Sequence, residues 1–198
     1  GPLGLLGPLS SAQQQRQQTS SDNVPLHLLD AQGNPWSQSV LQGVALHRRL
    51  DVFTDSHDDY KRCLALLGPD CRRFAPIALD VFVDHILSLH WAEFHDASLD
   101  DFSGEFYRFC TDHQACLPQG AASFIERAAQ YHLFAGYARW DVFERVLQSI
   151  DQRIRFESNV AEVGTEIYRH YDALTSILLP FIALAKQYAE PWRIERGV

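Results

Sequence analysis

The chain has 198 residues, a formal net charge of −8, nine histidines and four cysteines, and 46% of it is hydrophobic. That length suits one domain with a sizeable core; no run approaches the roughly 18 apolar residues of a membrane span, and the acid excess argues against general nucleic-acid affinity. No basic and apolar leader opens the chain, and Cys63, Cys71, Cys110 and Cys116 form no Cys-x-x-Cys pair, so reduced cysteines in a cytoplasmic protein are predicted.

Gly1-Pro2-Leu3-Gly4 reads as the remnant of a protease site, and residues 10–23 are polar and glutamine-rich. Residues 1–36 are therefore expected to form a tail or loop, and residues 37–198 a helical domain. Gly33-Asn34-Pro35 is a turn signal, after which Ser37 or Ser39 is placed to cap a helix over residues 40–67, with a break near Asp55-Ser56-His57. Gly68-Pro69 stops it. A second helix runs from about Phe74 to Phe94 with Pro76 in its first turn, and it is apolar nearly all round, as a buried helix is.

Ser98-Leu99-Asp100-Asp101 marks another helix start, and Phe102, Phe106 and Phe109 then read as a core stripe. Further helices are expected over residues 122–137 and 141–154, and from Asn159 onward, where Pro180 should kink or divide the last one. No segment alternates with period two, and there is no Gly-rich phosphate loop. The fold class is all-α, a compact single-domain helical bundle.

Chemistry concentrates in two places. Asp80 and Asp84 stand four apart within the apolar helix, about 40° apart around its axis, so both carboxylates leave one face; His85 follows directly. Two desolvated carboxylates repel unless a cation or proton compensates. Upstream, His47 and Asp51 repeat the spacing, and two such helices can together close oxygen and nitrogen donors around one or two hard cations. The plainer reading makes Asp80 and Asp84 ordinary paired or surface groups, and His85 and His90 core or rim histidines. Arg48 and Arg49, Lys61 and Arg62, and Arg72 and Arg73 flank these helices and offer a local basic patch despite the overall sign; their plainer reading is a solvated face.

His47-Arg48-Arg49-Leu50-Asp51-Val52-Phe53-Thr54-Asp55, then Arg72-Arg73-Phe74-Ala75-Pro76, Leu79-Asp80-Val81-Phe82-Val83-Asp84-His85 and His90-Trp91 together resemble the bacterial acyl carrier protein phosphodiesterases. The resemblance continues more weakly through Tyr137, Asp141, Phe143, Val146 and Leu147 and at His170-Tyr171-Asp172-Ala173-Leu174, and it covers roughly residues 41–186. It implies a variant of the helical HD phosphohydrolases that removes phosphopantetheine from holo acyl carrier protein. It also implies a divalent metal, manganese above all with magnesium or iron as alternatives, held by His47, Asp51, Asp80, Asp84 and His85.

On the same resemblance Arg48 or Arg49 would contact the phosphoryl oxygens, His90 would protonate the leaving serine, and Lys61, Arg62, Arg72 and Arg73 would meet the acidic carrier protein. One departure stands out: where the family carries an amino-terminal aspartate, this chain has Ala12, and Asp30 is a nearby carboxylate in different surroundings. Two other readings remain open, an HD-like hydrolase of a nucleotide or other small phosphodiester, and a non-catalytic helical binding module.

Overall fold

The computed structural model describes residues 30–155 and 158–194, and the regular structure within them is ten α-helices and two short 3-10 turns. The opening tetrapeptide, the glutamine-rich segment and Ala12 lie outside the described residues. Asp30 belongs to a turn: its carboxylate accepts the N–H groups of Gln32 at 2.9 Å and Asn34 at 2.8 Å, which holds it below the ordinary aspartate range. That employment is structural.

Ser37 accepts from the Val40 N–H at 3.4 Å and starts α1 (Gln38–Ser56). The chain turns at His57, whose ring Nδ1 accepts the Asp59 N–H at 3.2 Å and so caps α2 (Asp58–Leu66). Gly68 adopts φ +79°, a conformation that favours glycine, and leads through the 3-10 turn Pro69–Cys71 to α3 (Ala75–Leu89). The helix expected to reach Phe94 ends at His90, and only α4 (Trp91–Phe94) follows.

Ser98 caps α5 (Leu99–Asp112) by accepting the Asp101 N–H at 3.1 Å. The helix expected over residues 122–137 is two, α6 (Gln119–Gln130) and α7 (Leu133–Gly136), because His132 takes a left-handed backbone at φ +47°. Then come α8 (Trp140–Arg153), α9 (Val160–Arg169) and α10 (Tyr171–Ile194). The division expected at Pro180 falls at His170 instead; Pro180 is exposed within α10, where water can take the carbonyl it leaves unpaired.

Helix α3 is the centre of the core. It buries Ala75, Ala78, Leu79, Val81, Phe82, His85 and Ile86, and α2, α8, α9 and α10 pack around it. Leu174, Leu178, Phe181 and Ile182 of α10 recur at helical spacing and are all buried against this core. Helices α8 and α9 approach so closely at Gly164 that a Cβ there would stand 2.8 Å from Leu147 Cδ1. Helices α5, α6 and α7 form a side layer, tied to α3 where the Ser88 hydroxyl donates to the Phe134 carbonyl at 3.2 Å.

The aromatic stripe of α5 is not core. Phe102, Phe106 and Phe109 are 39%, 38% and 57% exposed, and the buried face of α5 is Ser103 and Tyr107. The physical reason is coverage: the neighbours of α5 are α6 and the four-residue α7, which meet the Tyr107 side, where Tyr107 packs on Phe134 with centroids 5.1 Å apart. Among the described residues no helix is long and apolar enough to cross a membrane, and all four cysteines are free.

Candidate active site

Helix α3 is buried on one side only. Asp80 and Asp84 leave its other side and keep access to solvent, contrary to the reading of a helix enclosed all round. Tyr60 of α2 is buried and donates its hydroxyl to Asp80 Oδ1 at 2.6 Å, fixing that carboxylate. Desolvation raises the Asp80 carboxyl above the aspartate range, the Tyr60 bond pulls it back, and the charges of Asp55 and Asp51 on α1 add to the rise.

Asp84 is pushed up to about 6 by desolvation first and by the charge of Asp80 second. Water reaches it from one side while protein crowds the other. Among the described residues its carboxylate has no cationic or hydrogen-bonding partner. Tyr137 stands on the far side: desolvation, then the Asp84 charge, push its phenol up to about 12, with Arg153 acting the other way. Asp51, Asp55, Asp80 and Asp84 thus lie in a chain of mutual electrostatic contact that ends at Tyr137.

The structure separates the remaining candidates. His47 and Asp51 do share a face of α1, with Nε2 and Oδ2 3.7 Å apart, but they are 66% and 40% exposed and face each other. His85 is 3% exposed inside the core, where both ring nitrogens are engaged, Nδ1 with the Tyr137 carbonyl at 2.7 Å and Nε2 with the Tyr171 hydroxyl at 3.1 Å. Burial holds its imidazole below the usual histidine range and hence neutral. Consecutive helical residues diverge by about 100°, so Asp84 faces outward and His85 inward; the expected ligand is a packed core histidine.

His90 is likewise displaced from the acid pair. It ends α3, with Nδ1 2.7 Å from Glu93 Oε1, and lies about 9 Å along the axis and about 240° around it from Asp84. Neither position nor direction suits a proton donor to the same phosphate.

Arg49 is drawn aside, its guanidinium 3.6 Å above the Trp192 ring, whereas Arg48 is exposed and shares a face with Asp51 and Asp55. Lys61 and Arg62 turn onto acids of their own helix, at 3.6 Å from Asp58 and 3.0 Å from Asp59. Arg72 and Arg73 are exposed on the link between α2 and α3, with Arg73 5.2 Å from the Phe74 ring centroid. Arg49, Lys61 and Arg62 are thus engaged within the chain, while Arg48, Arg72 and Arg73 are exposed. Sequence reasoning missed Tyr60 and Tyr137 as neighbours of the acids, and Asp55 as a member; Asp55 was legible, being four residues beyond Asp51.

Among the described residues no three His, Cys, Asp or Glu side chains come close enough to enclose a metal ion, so the five-residue ligand set is not assembled. The donor chemistry nevertheless fits an open divalent site. Asp80 and Asp84 are hard oxygen donors one helical turn apart, crowded and unneutralised, and magnesium-like ions bind through one or two carboxylates with water and substrate phosphate completing the shell.

The family model for acyl carrier protein phosphodiesterase matches residues 20–184 of the chain. The chain belongs to this family. The acyl carrier protein phosphodiesterase of Serratia proteamaculans (strain 568) is 40% identical over 162 residues, covering 80% of this chain and 84% of that protein. The protein of that name from Enterobacter sp. (strain 638) is 33% identical over 151 residues, covering 73% and 77%. That from Klebsiella pneumoniae (strain 342) is 31% identical over 167 residues, covering 80% and 84%. No solved structure matches the chain. As a member of a phosphodiesterase family it is a hydrolase, and the family match takes in α1 through α9 and most of α10, hence both acids, Tyr60 and Tyr137.

Proposed function

We propose that this chain hydrolyses the phosphodiester joining the phosphopantetheine arm to the serine of holo acyl carrier protein. Water adds to phosphorus, the bond from phosphorus to the serine oxygen breaks, and the proton lost by water returns to serine. The products are apo carrier protein and 4′-phosphopantetheine. Besides the family, the observation that carries the reading is the Asp80–Asp84 pair, two crowded carboxylates on one accessible face of the central helix.

Asp80 and Asp84 would hold a divalent cation, manganese with magnesium or iron as alternatives. When bound, such a cation lowers the pKa of water and draws charge from the phosphoryl oxygens. The chain's own contribution is positional. Tyr60 holds Asp80 in one rotamer, and Arg48, exposed on the face of α1 that carries Asp51 and Asp55, meets the phosphoryl oxygens as a charged donor. Tyr137 stays protonated at neutral pH and serves as a donor beside Asp84.

The acidic carrier protein meets Arg72 and Arg73, which act chiefly on the encounter rate, and the balance of −8 speaks against a nucleic-acid substrate. A cytoplasmic setting, where carrier protein is charged with its arm, agrees with free cysteines. The test is Asp84→Ala with manganese and holo carrier protein: phosphopantetheine release falls below detection while the helical circular dichroism signal is kept. Release at the wild-type rate would overturn the assignment of the acid pair.

A further inference from the structure

A cavity of about 660 Å³ opens among α6, α7 and α8 against the flank of α3, and none of the metal, catalytic or partner-binding residues expected from the sequence lines it. Val81, Val146 and Ile150 contribute apolar surface, and four of its lining residues are arginines: Arg127, Arg139, Arg145 and Arg153. No carboxylate lines it. In a chain of net −8 this concentration runs against the overall sign, and it selects a ligand that is anionic and otherwise apolar.

The arginines differ in how they are held. Asp141 fixes two of them from outside, accepting from Arg139 at 2.9 and 2.8 Å and from Arg145 at 2.8 Å. Arg153 donates Nε to the Ser149 carbonyl at 2.9 Å, which leaves its terminal amino groups for a ligand, and the Arg127 guanidinium has no hydrogen-bond or ion-pair partner among the described residues. The cavity also approaches Asp84 through Tyr137. Val81, which lines it, is three residues from Asp84 along α3, and Tyr137 both lines the cavity and feels the charges of Asp84 and Arg153.

We propose that this cavity seats the phosphopantetheine arm of the substrate, its phosphate end at Arg153 and Tyr137 beside the acid pair and its pantetheine chain over Val146 and Ile150. The identity of the ligand rests on the function proposed above; the arginine-lined cavity itself does not. The volume falls within the range of about 300 to 1,000 Å³ usual for small-molecule sites. The guanidinium of Arg153 matches a phosphate in the planar, two-point manner that lysine lacks.

The test is calorimetric titration of chelator-treated protein with 4′-phosphopantetheine, with pantetheine and with inorganic phosphate, alongside steady-state hydrolysis of holo carrier protein. Wild type should bind phosphopantetheine at least tenfold more tightly than either fragment. Val146→Trp, which fills the cavity, should lose that binding and raise KM more than it lowers kcat. Arg153→Ala, on an exposed position that leaves the core intact, should abolish the preference for phosphopantetheine over pantetheine. Wild type that hydrolyses carrier protein while both folded variants bind phosphopantetheine as tightly as wild type would overturn the cavity assignment and leave the function standing. Wild type that fails to hydrolyse but shows the predicted binding pattern would support the cavity and overturn the function.

Discussion

Replacing Asp84 by Asn should make the metal-free protein more stable while destroying its activity. Asp84 is raised from the ordinary aspartate value of 3.8 to about 6, so folding takes up a proton between those pH values. Stability from this group is greatest when Asp84 is protonated, declines as pH rises from about 4 to about 6, and stays at its lower level above that. Unscreened, a rise from 3.8 to about 6 corresponds to about 3 kcal/mol at 1.36 kcal/mol per pH unit. Asp84 keeps solvent access on one side, which screens the interaction, and about 1 kcal/mol is a better expectation.

For a domain of this size that is a rise in Tm of about 2 to 4 °C. The assay is thermal or urea unfolding of wild type and Asp84→Asn in a chelating buffer at pH 7.5 and pH 4.5. His85, buried neutral, contributes with the opposite sign as pH falls, but it is common to both proteins and cancels in the difference. The variant should be the more stable at pH 7.5, with the gap narrowing at pH 4.5. A variant less stable than wild type at both pH values would refute the reasoning, because it would show that the Asp84 carboxylate is a structural partner.

Tyr60→Phe removes the 2.6 Å hydrogen bond that lowers the Asp80 carboxyl, so the acid limb of the pH–rate profile should move to higher pH, with a loss of about 1.5 to 3 kcal/mol in stability. An unmoved acid limb would count against Asp80. His85→Leu leaves the Tyr171 hydroxyl and the Tyr137 carbonyl without their partner and should cost about 1 to 3 kcal/mol by urea unfolding, yet should not lower the affinity for manganese measured by titration. A large loss of metal affinity in a folded variant would return His85 to the ligand set. Gly164→Ala places a methyl 2.8 Å from Leu147 Cδ1, and the overpacking should outweigh the gain in helix propensity, for a net loss of about 1 kcal/mol in unfolding free energy.

Local chemistry made much of the fold readable. Ser37 and Ser98 cap the helices they precede, Gly68 ends α2, and the periodicity of α8 and α10 places Phe143, Leu147, Leu174 and Leu178 in the core. The junctions at His57, His90, His132 and His170 were less legible, since histidine is no fixed breaker; only at His57 does its ring supply a cap. The stripe of Phe102, Phe106 and Phe109 misled because periodicity shows that a face is apolar, not that anything large enough lies opposite it.

At the site, Asp80 and Asp84 followed from helical spacing alone, and Asp84-His85 misled because adjacency in sequence is divergence on a helix. Tyr137 and the arginines of α6 to α8 come together only through the tertiary packing of α3 and α8 and the reversal at His132, distances that no spacing in the chain encodes.

The most direct measurement is the intact mass of holo acyl carrier protein after incubation with this protein and manganese, beside a chelated control. The account predicts loss of the phosphopantetheine mass, abolished by the chelator and by Asp84→Asn. An unchanged carrier-protein mass, with the protein folded and the substrate competent for a family member such as that of Serratia proteamaculans, would contradict it.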